Sequence, residues 1–147
     1  LFLNASMFNQ PLESWNVGNV IDMEAMLCLA SSFNQSLNCW NVSNVTDMNN
    51  LFSRASCFNQ PLDKWDVGNV TNMNCLFHEC TCFNQSINNW NVSNVTRMNY
   101  LFYGASSFNQ PLDSWDVRSV ITMAHIFEGA DSFSFRENLM KKWPLRD

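Results

Sequence analysis

The sequence predicts a repeat solenoid, and a single period carries that expectation. Phe recurs at 8, 33, 58, 83, 108 and 133, Trp at 15, 40, 65, 90 and 115, and Met at 23, 48, 73, 98 and 123, always 25 residues apart. A fixed period in the 20–50 residue range marks stacked supersecondary units that bury a continuous core only together. Within a unit the apolar spacing changes. Trp65 and Val67 are two apart, as in a strand with one buried face, whereas Val70, Met73, Leu76, Phe77 and Cys80 step by three, three, one and three, the stripe of a helix.

Each coil is therefore expected to hold one short parallel strand near 63–68, a turn at Gly68-Asn69, and a short helix or irregular convex segment near 70–80. Helix formers are sparse there, which keeps the irregular alternative open. Asn69 or Thr71 would cap the helix. Strands joined through such crossovers run parallel with right-handed connections.

Residues 1–7 read as the tail of a unit, and full units span 8–32, 33–57, 58–82, 83–107 and 108–132. Residues 133–147 begin like a repeat and then abandon it. A terminal coil exposes an apolar face and needs a cap. Phe133, Phe135, Leu139, Met140 and Trp143 are expected to cover the last rung, with Arg136, Lys141, Lys142 and Arg146 in water. No matching cap opens the chain, which starts at Leu1 inside a unit; the reading is of a fragment with further repeats before it.

A second period of 50 residues lies inside the first. The residue after the recurrent Leu or Ile reads Glu13, Asn38, Asp63, Asn88, Asp113, and the residue after the strand Val reads Gly18, Ser43, Gly68, Ser93, until Arg118 ends the alternation. Duplication of a two-coil block explains it. Alternation with Asn also keeps stacked carboxylates apart.

The pattern Phe-Asn-Gln-Pro-Leu-x-x-Trp-Asp-Val-x-Asn-Val-x-x-Met-x-x-Leu-Phe-x-x-Ala across residues 1–132 closely resembles the repeat of BspA-like leucine-rich-repeat surface proteins, in the variant found in tandem in mycoplasma lipoproteins as a domain of unknown function. The resemblance implies an α/β, leucine-rich-repeat-like solenoid on a protein of the cell surface, the extracellular space or a virion, adhesive in some relatives. This unit is one residue shorter than the usual strand motif, Leu62-x-x-Trp65-x-Val67-x-Asn69, which bears on curvature.

The formal net charge is −5, with 11 acids and 4 bases in 1–132 against 2 acids and 4 bases in 133–147. That balance argues against nucleic acid, which needs a basic stripe. No apolar run approaches the ~18 residues that span a bilayer.

Several columns invite functional readings. Trp15, Trp40, Trp65, Trp90 and Trp115 are expected to fill the interior as one ladder. Asn19, Asn44, Asn69 and Asn94 form a second, and some of them sit in glycosylation sequons such as Asn44-Val-Thr46. The column keeps Asn at 19 without a sequon, so the amide itself is wanted, bonding to the turn of an adjacent coil. Asp63, Lys64, Asp66, Asn88, Asn91, Asp113 and Asp116 are the candidate partner-binding residues, projecting from neighbouring rungs of the exposed strand face. That face reads as a groove for a basic or hydrogen-bonding protein, as a weak calcium site, or as a solvated acidic surface.

Cys75-x-x-His78-x-Cys80-x-Cys82 has zinc-like spacing, but Cys80 stands where other units place Ala and should point inward, so no metal site is expected. Cys57 and Cys82 occupy one repeat position in consecutive coils, about 4.8 Å apart if the rungs pair. That separation permits a disulfide without enforcing one. Cys28, Cys39 and Cys75 should be unpaired.

No Ser/His/Asp arrangement, phosphate loop or cofactor box is present, and no cofactor is expected. The reading is a non-enzymatic repeat scaffold presenting an extended surface to a protein partner. The alternative is an architectural part of a viral or cell-surface assembly, packed against neighbouring copies.

Overall fold

The computed structural model describes residues 1–145; Arg146 and Asp147, and with them the expectation for Arg146, lie outside the described residues. Each 25-residue unit closes one turn of the chain and stacks on the next. Residues one period apart lie one above the other: the Phe column from Phe8 to Phe133 stacks with ring centroids 5.8–6.1 Å apart. A second column, Phe52, Phe77, Phe102 and Phe127, has spacings of 5.7–5.8 Å. The two columns touch where one unit passes into the next, as Phe52 and Phe58 do at 4.3 Å. The core is a continuous apolar spine rather than a set of separate clusters.

The coil itself is a run of turns. In the third full unit Trp65 N–H donates to Leu62 C=O, Val70 to Val67, Leu76 to Met73, Cys80 to Phe77 and Phe83 to Cys80. The segment 70–80 forms no helix. Cys75 and Glu79 each stand third in a four-residue turn with φ of 58° and 53°, the positive value of a type II turn. The left-handed positions recur at Ala25, Asn50, Tyr100 and His125, and at Asn4, Leu29, Arg54, Gly104 and Gly129. Two such turns in succession return Met73, Leu76, Phe77 and Cys80 to the interior, which is why a helical spacing appears without a helix.

Pairing between coils also differs from the expected strand at 63–68. Parallel bridges link Asp22, Asp47, Asn72, Arg97 and Thr122, at the start of the turn segment. From there alternate N–H groups donate forward to the next coil: Met73 to Arg97 C=O, Cys75 to Asn99, Phe77 to Leu101 and Glu79 to Tyr103. The N–H groups between them close the local turns, so buried backbone is satisfied without regular strands. Asn69 and Thr71 cap nothing. The Asn69 amide donates to Ser43 C=O at 2.7 Å and the Thr71 hydroxyl to Thr46 C=O at 3.3 Å, both one coil back.

The described residues contain one helix, α1 (Arg136–Met140). It turns the chain across the last rung so that Leu139 and Trp143 are buried, and Trp143 stacks on Trp115 at 6.0 Å. Phe133 and Phe135 are half-buried. Met140, expected to cover the rung, instead points outward at 53% exposure, because five helical residues present only one face to the coil.

Candidate functional site

The Trp column is interior from Trp40 to Trp115, and each indole N–H reaches a carbonyl of the preceding coil: Trp40 to Leu12, Trp65 to Leu37, Trp90 to Leu62 and Trp115 to Ile87, at 2.8–2.9 Å. Trp65 stacks on Trp90 at 6.4 Å. Trp15, on the first full coil, is 41% exposed. Outside the spine, Asn44, Asn69 and Asn94 donate their amides to Gly18, Ser43 and Gly68 carbonyls, each at 2.7 Å. A further column, Asn9, Asn34, Asn59, Asn84 and Asn109, takes the backbone N–H one coil on through its side-chain oxygen; Asn59 Oδ1, for example, accepts from Asn84 N–H at 2.9 Å and from Gln85 Nε2 at 3.0 Å.

The residues named for partner binding fall into two rows. Asp63, Lys64 and Asp113 are exposed and Asn88 is half-buried. Asn38 donates its amide to Asp63 at 2.9 Å while its oxygen accepts Lys64 N–H at 3.0 Å. Asn88 repeats the arrangement with Asp113 and Ser114, at 3.3 and 3.1 Å. Each carboxylate in this row is therefore held by the Asn of the coil before it. The second row is committed locally. Asp66 accepts Gly68 N–H, Asn91 accepts Ser93 N–H and Asp116 accepts Arg118 N–H, each at 3.0–3.1 Å, so these residues pin the turn that follows. Arg118 also grips Asp116 through two side-chain bonds, holding its carboxyl well below the usual range, at about 2.

The two-coil alternation has a steric counterpart on this row. A Cβ at Gly68 would lie 3.1 Å from Asp66 Oδ1 and 3.7 Å from Asn91 Nδ2, and Gly18 repeats the arrangement with Asn16 and Asn41. Glycine recurs where the amide of the next coil reaches back.

All six cysteines are free thiols, Cys57 and Cys82 included, and both of these are exposed. Cys80 is fully buried with its thiol on the Phe52 carbonyl at 2.7 Å, and burial raises its pKa far above the ordinary value. Among the described residues no three His, Cys, Asp or Glu side chains gather in a group that could hold a metal ion. Among the described residues no helix is long and apolar enough to cross a membrane.

One pair escaped the sequence reading. Ser53, the sole buried polar residue among the described residues, places Oγ 3.0 Å from His78 Nδ1, one coil on. Burial lowers the pKa of His78. Cys28 precedes Ser53 in the same column with its thiol pKa raised by burial, and Tyr103 follows, stacked on His78 at 5.2 Å. The neighbouring Glu79 carboxylate pairs with Arg54 at 2.7 Å. The 25-residue offset between 53 and 78 was the available signal.

No curated protein and no solved structure matches the chain significantly. Two stretches, residues 1–74 and 60–146, match the family described as "Mycoplasma protein of unknown function, DUF285" and between them span almost the whole sequence. The chain belongs to that family.

Proposed function

We propose that this chain is a non-enzymatic repeat scaffold, a leucine-rich-repeat-like solenoid of the BspA-like kind, which presents the face bearing Asp63, Lys64, Asn88 and Asp113 to a protein partner. The carrying observation is the Asn38–Asp63 bond, repeated as Asn88–Asp113, which sets carboxylates two coils apart in fixed positions. A partner meeting groups already held in place spends less on ordering them. The acidic balance of the repeats suits a basic or hydrogen-bonding partner rather than nucleic acid. The resemblance to BspA-like repeats supports a setting for such a face at a cell surface, outside the cell or on a virion.

Asp63→Lys and Asp113→Lys together are the informative substitution, because Asp66 and Asp116 hold turns. With a Lys-rich peptide as the probe in calorimetry, the double variant should lose binding while keeping its melting temperature. Undiminished binding would move the recognition surface elsewhere.

A further inference from the structure

We propose that Cys57 and Cys82 form a dithiol site, which a small disulfide oxidant closes into a bridge between neighbouring coils and a thiol reductant reopens. This site does not depend on whether the lateral face binds a partner.

Of the six cysteines these two alone share a repeat position, between Ser32 and Ser107 of the same column. Contacts on both sides hold them in vertical register. On one side the Thr81 hydroxyl donates to Ser56 C=O at 3.4 Å. On the other the Phe83 ring lies over Phe58 at 6.1 Å and 7°, and Asn84 N–H donates to Asn59 Oδ1 at 2.9 Å. The coil spacing then sets the two Cα atoms about 4.8 Å apart, inside the ~4.4–6.8 Å that a disulfide spans. Both side chains are exposed, so an oxidant of the size of glutathione reaches either sulfur. The other thiols do not compete. Cys80, two residues before Cys82, turns inward onto the Phe52 carbonyl at 2.7 Å, and Cys28, Cys39 and Cys75 stand in three different columns.

The same geometry makes the bridge reversible. Stacked side chains point the same way, and a relaxed disulfide holds its Cβ atoms only ~3.8 Å apart, about 1 Å closer than the coil spacing. Each cysteine is third in a four-residue turn, Ala55–Phe58 and Cys80–Phe83, closed by an N–H bond of 3.1 and 3.2 Å respectively. The Phe that ends each turn is fully buried, so closure bends turn backbone and leaves the spine in place. A strained, exposed disulfide is reduced more readily than a structural one.

The exchange balances with oxidised glutathione. One cysteine thiolate attacks its disulfide and displaces one glutathione thiolate, leaving a mixed disulfide on the protein. The second cysteine thiolate attacks the protein sulfur of that mixed disulfide and displaces the other glutathione. The two protein thiols give up two electrons and two protons, and the oxidant leaves as two thiols.

The full chain, equilibrated across mixtures of reduced and oxidised glutathione, quenched with acid and sequenced by mass spectrometry, tests this. The wild type should lose two hydrogens, with Cys57 linked to Cys82 of the same chain, and the bridge should be half formed within the range of the mixtures. Cys57→Ser and Cys82→Ser, each supplying the serine that the column already holds at 32 and 107, should fold and form no bridge. Cys39→Ser, which removes another exposed thiol, should bridge as the wild type does. Separate glutathione adducts on Cys57 and Cys82 without a bridge, a link to another cysteine or another chain, or a bridge that survives excess reduced glutathione would each overturn the proposal.

Discussion

Ser53 Oγ and His78 Nδ1 meet at 3.0 Å across one coil boundary, joining a buried hydroxyl to a half-buried imidazole. Burial depresses His78 below its ordinary value of 6.5, so the folded chain binds this proton less readily than the unfolded one. The group's contribution to stability is therefore complete above about 6.5 and is lost as pH falls through the window below it. The melting temperature should drop between pH 7 and pH 5, and His78→Gln should flatten that part of the profile. An unchanged profile would remove His78 from the account.

Ala25 separates the turn architecture from a helical one by the sign of one substitution. In a helix Ala→Gly costs about 1 kcal/mol. Here Ala25 has φ of 55°, which glycine adopts freely, so Ala25→Gly should stabilise by roughly 0.5–1 kcal/mol. Denaturant unfolding decides it, and a loss of stability would contradict the left-handed turn.

The Asn column stops at Ser119, and Ser93 C=O receives no amide from the following coil. Ser119→Asn should add the bond that Asn94 makes to Gly68, raising stability by about 1 kcal/mol, while Asn69→Ala should remove about as much. Equal melting temperatures for all three proteins would leave the amide ladder without energetic weight.

Thiol accessibility follows burial. Cys39, Cys57 and Cys82 should alkylate rapidly in the native state and Cys80 only on unfolding, since its thiol is buried and its pKa raised. Peptide mapping after a timed iodoacetamide pulse reads this directly. Native labelling of Cys80 would mean that the coil at Phe52 opens.

The period was legible because the Phe, Trp, Val and Met columns each repeat their residue type: Trp40, Trp65 and Trp90 could hardly be anything but interior rungs. The conformation between Val70 and Cys80 was not. Its apolar spacing suits one helix or two type II turns equally, and the deciding φ values fall on Cys75 and Glu79, residues that rarely adopt them. Gly104 and Gly129, in the Glu79 column, were the available hint. The candidate face was legible as a set of positions, yet the split between Asp63, braced by Asn38 from the previous coil, and Asp66, spent on Gly68, depends on which backbone donor each carboxylate reaches. Ser53–His78 was missed because its column, Cys28, Ser53, His78 and Tyr103, lacks the identity that exposed the Trp and Phe columns.

Because the ladders join residues 24 to 28 apart, the stack constrains how such a chain can change length. Inserting one residue into a coil shifts every later residue against its partner below, and the mismatch persists to the cap. Removing 25 residues restores vertical register but sets coils of the same parity together, so that Gly18 would meet Asp66 instead of Asn41. Removing 50 restores both. Lineages carrying this repeat should therefore gain and lose it in pairs of coils, and their lengths should differ in steps of two units.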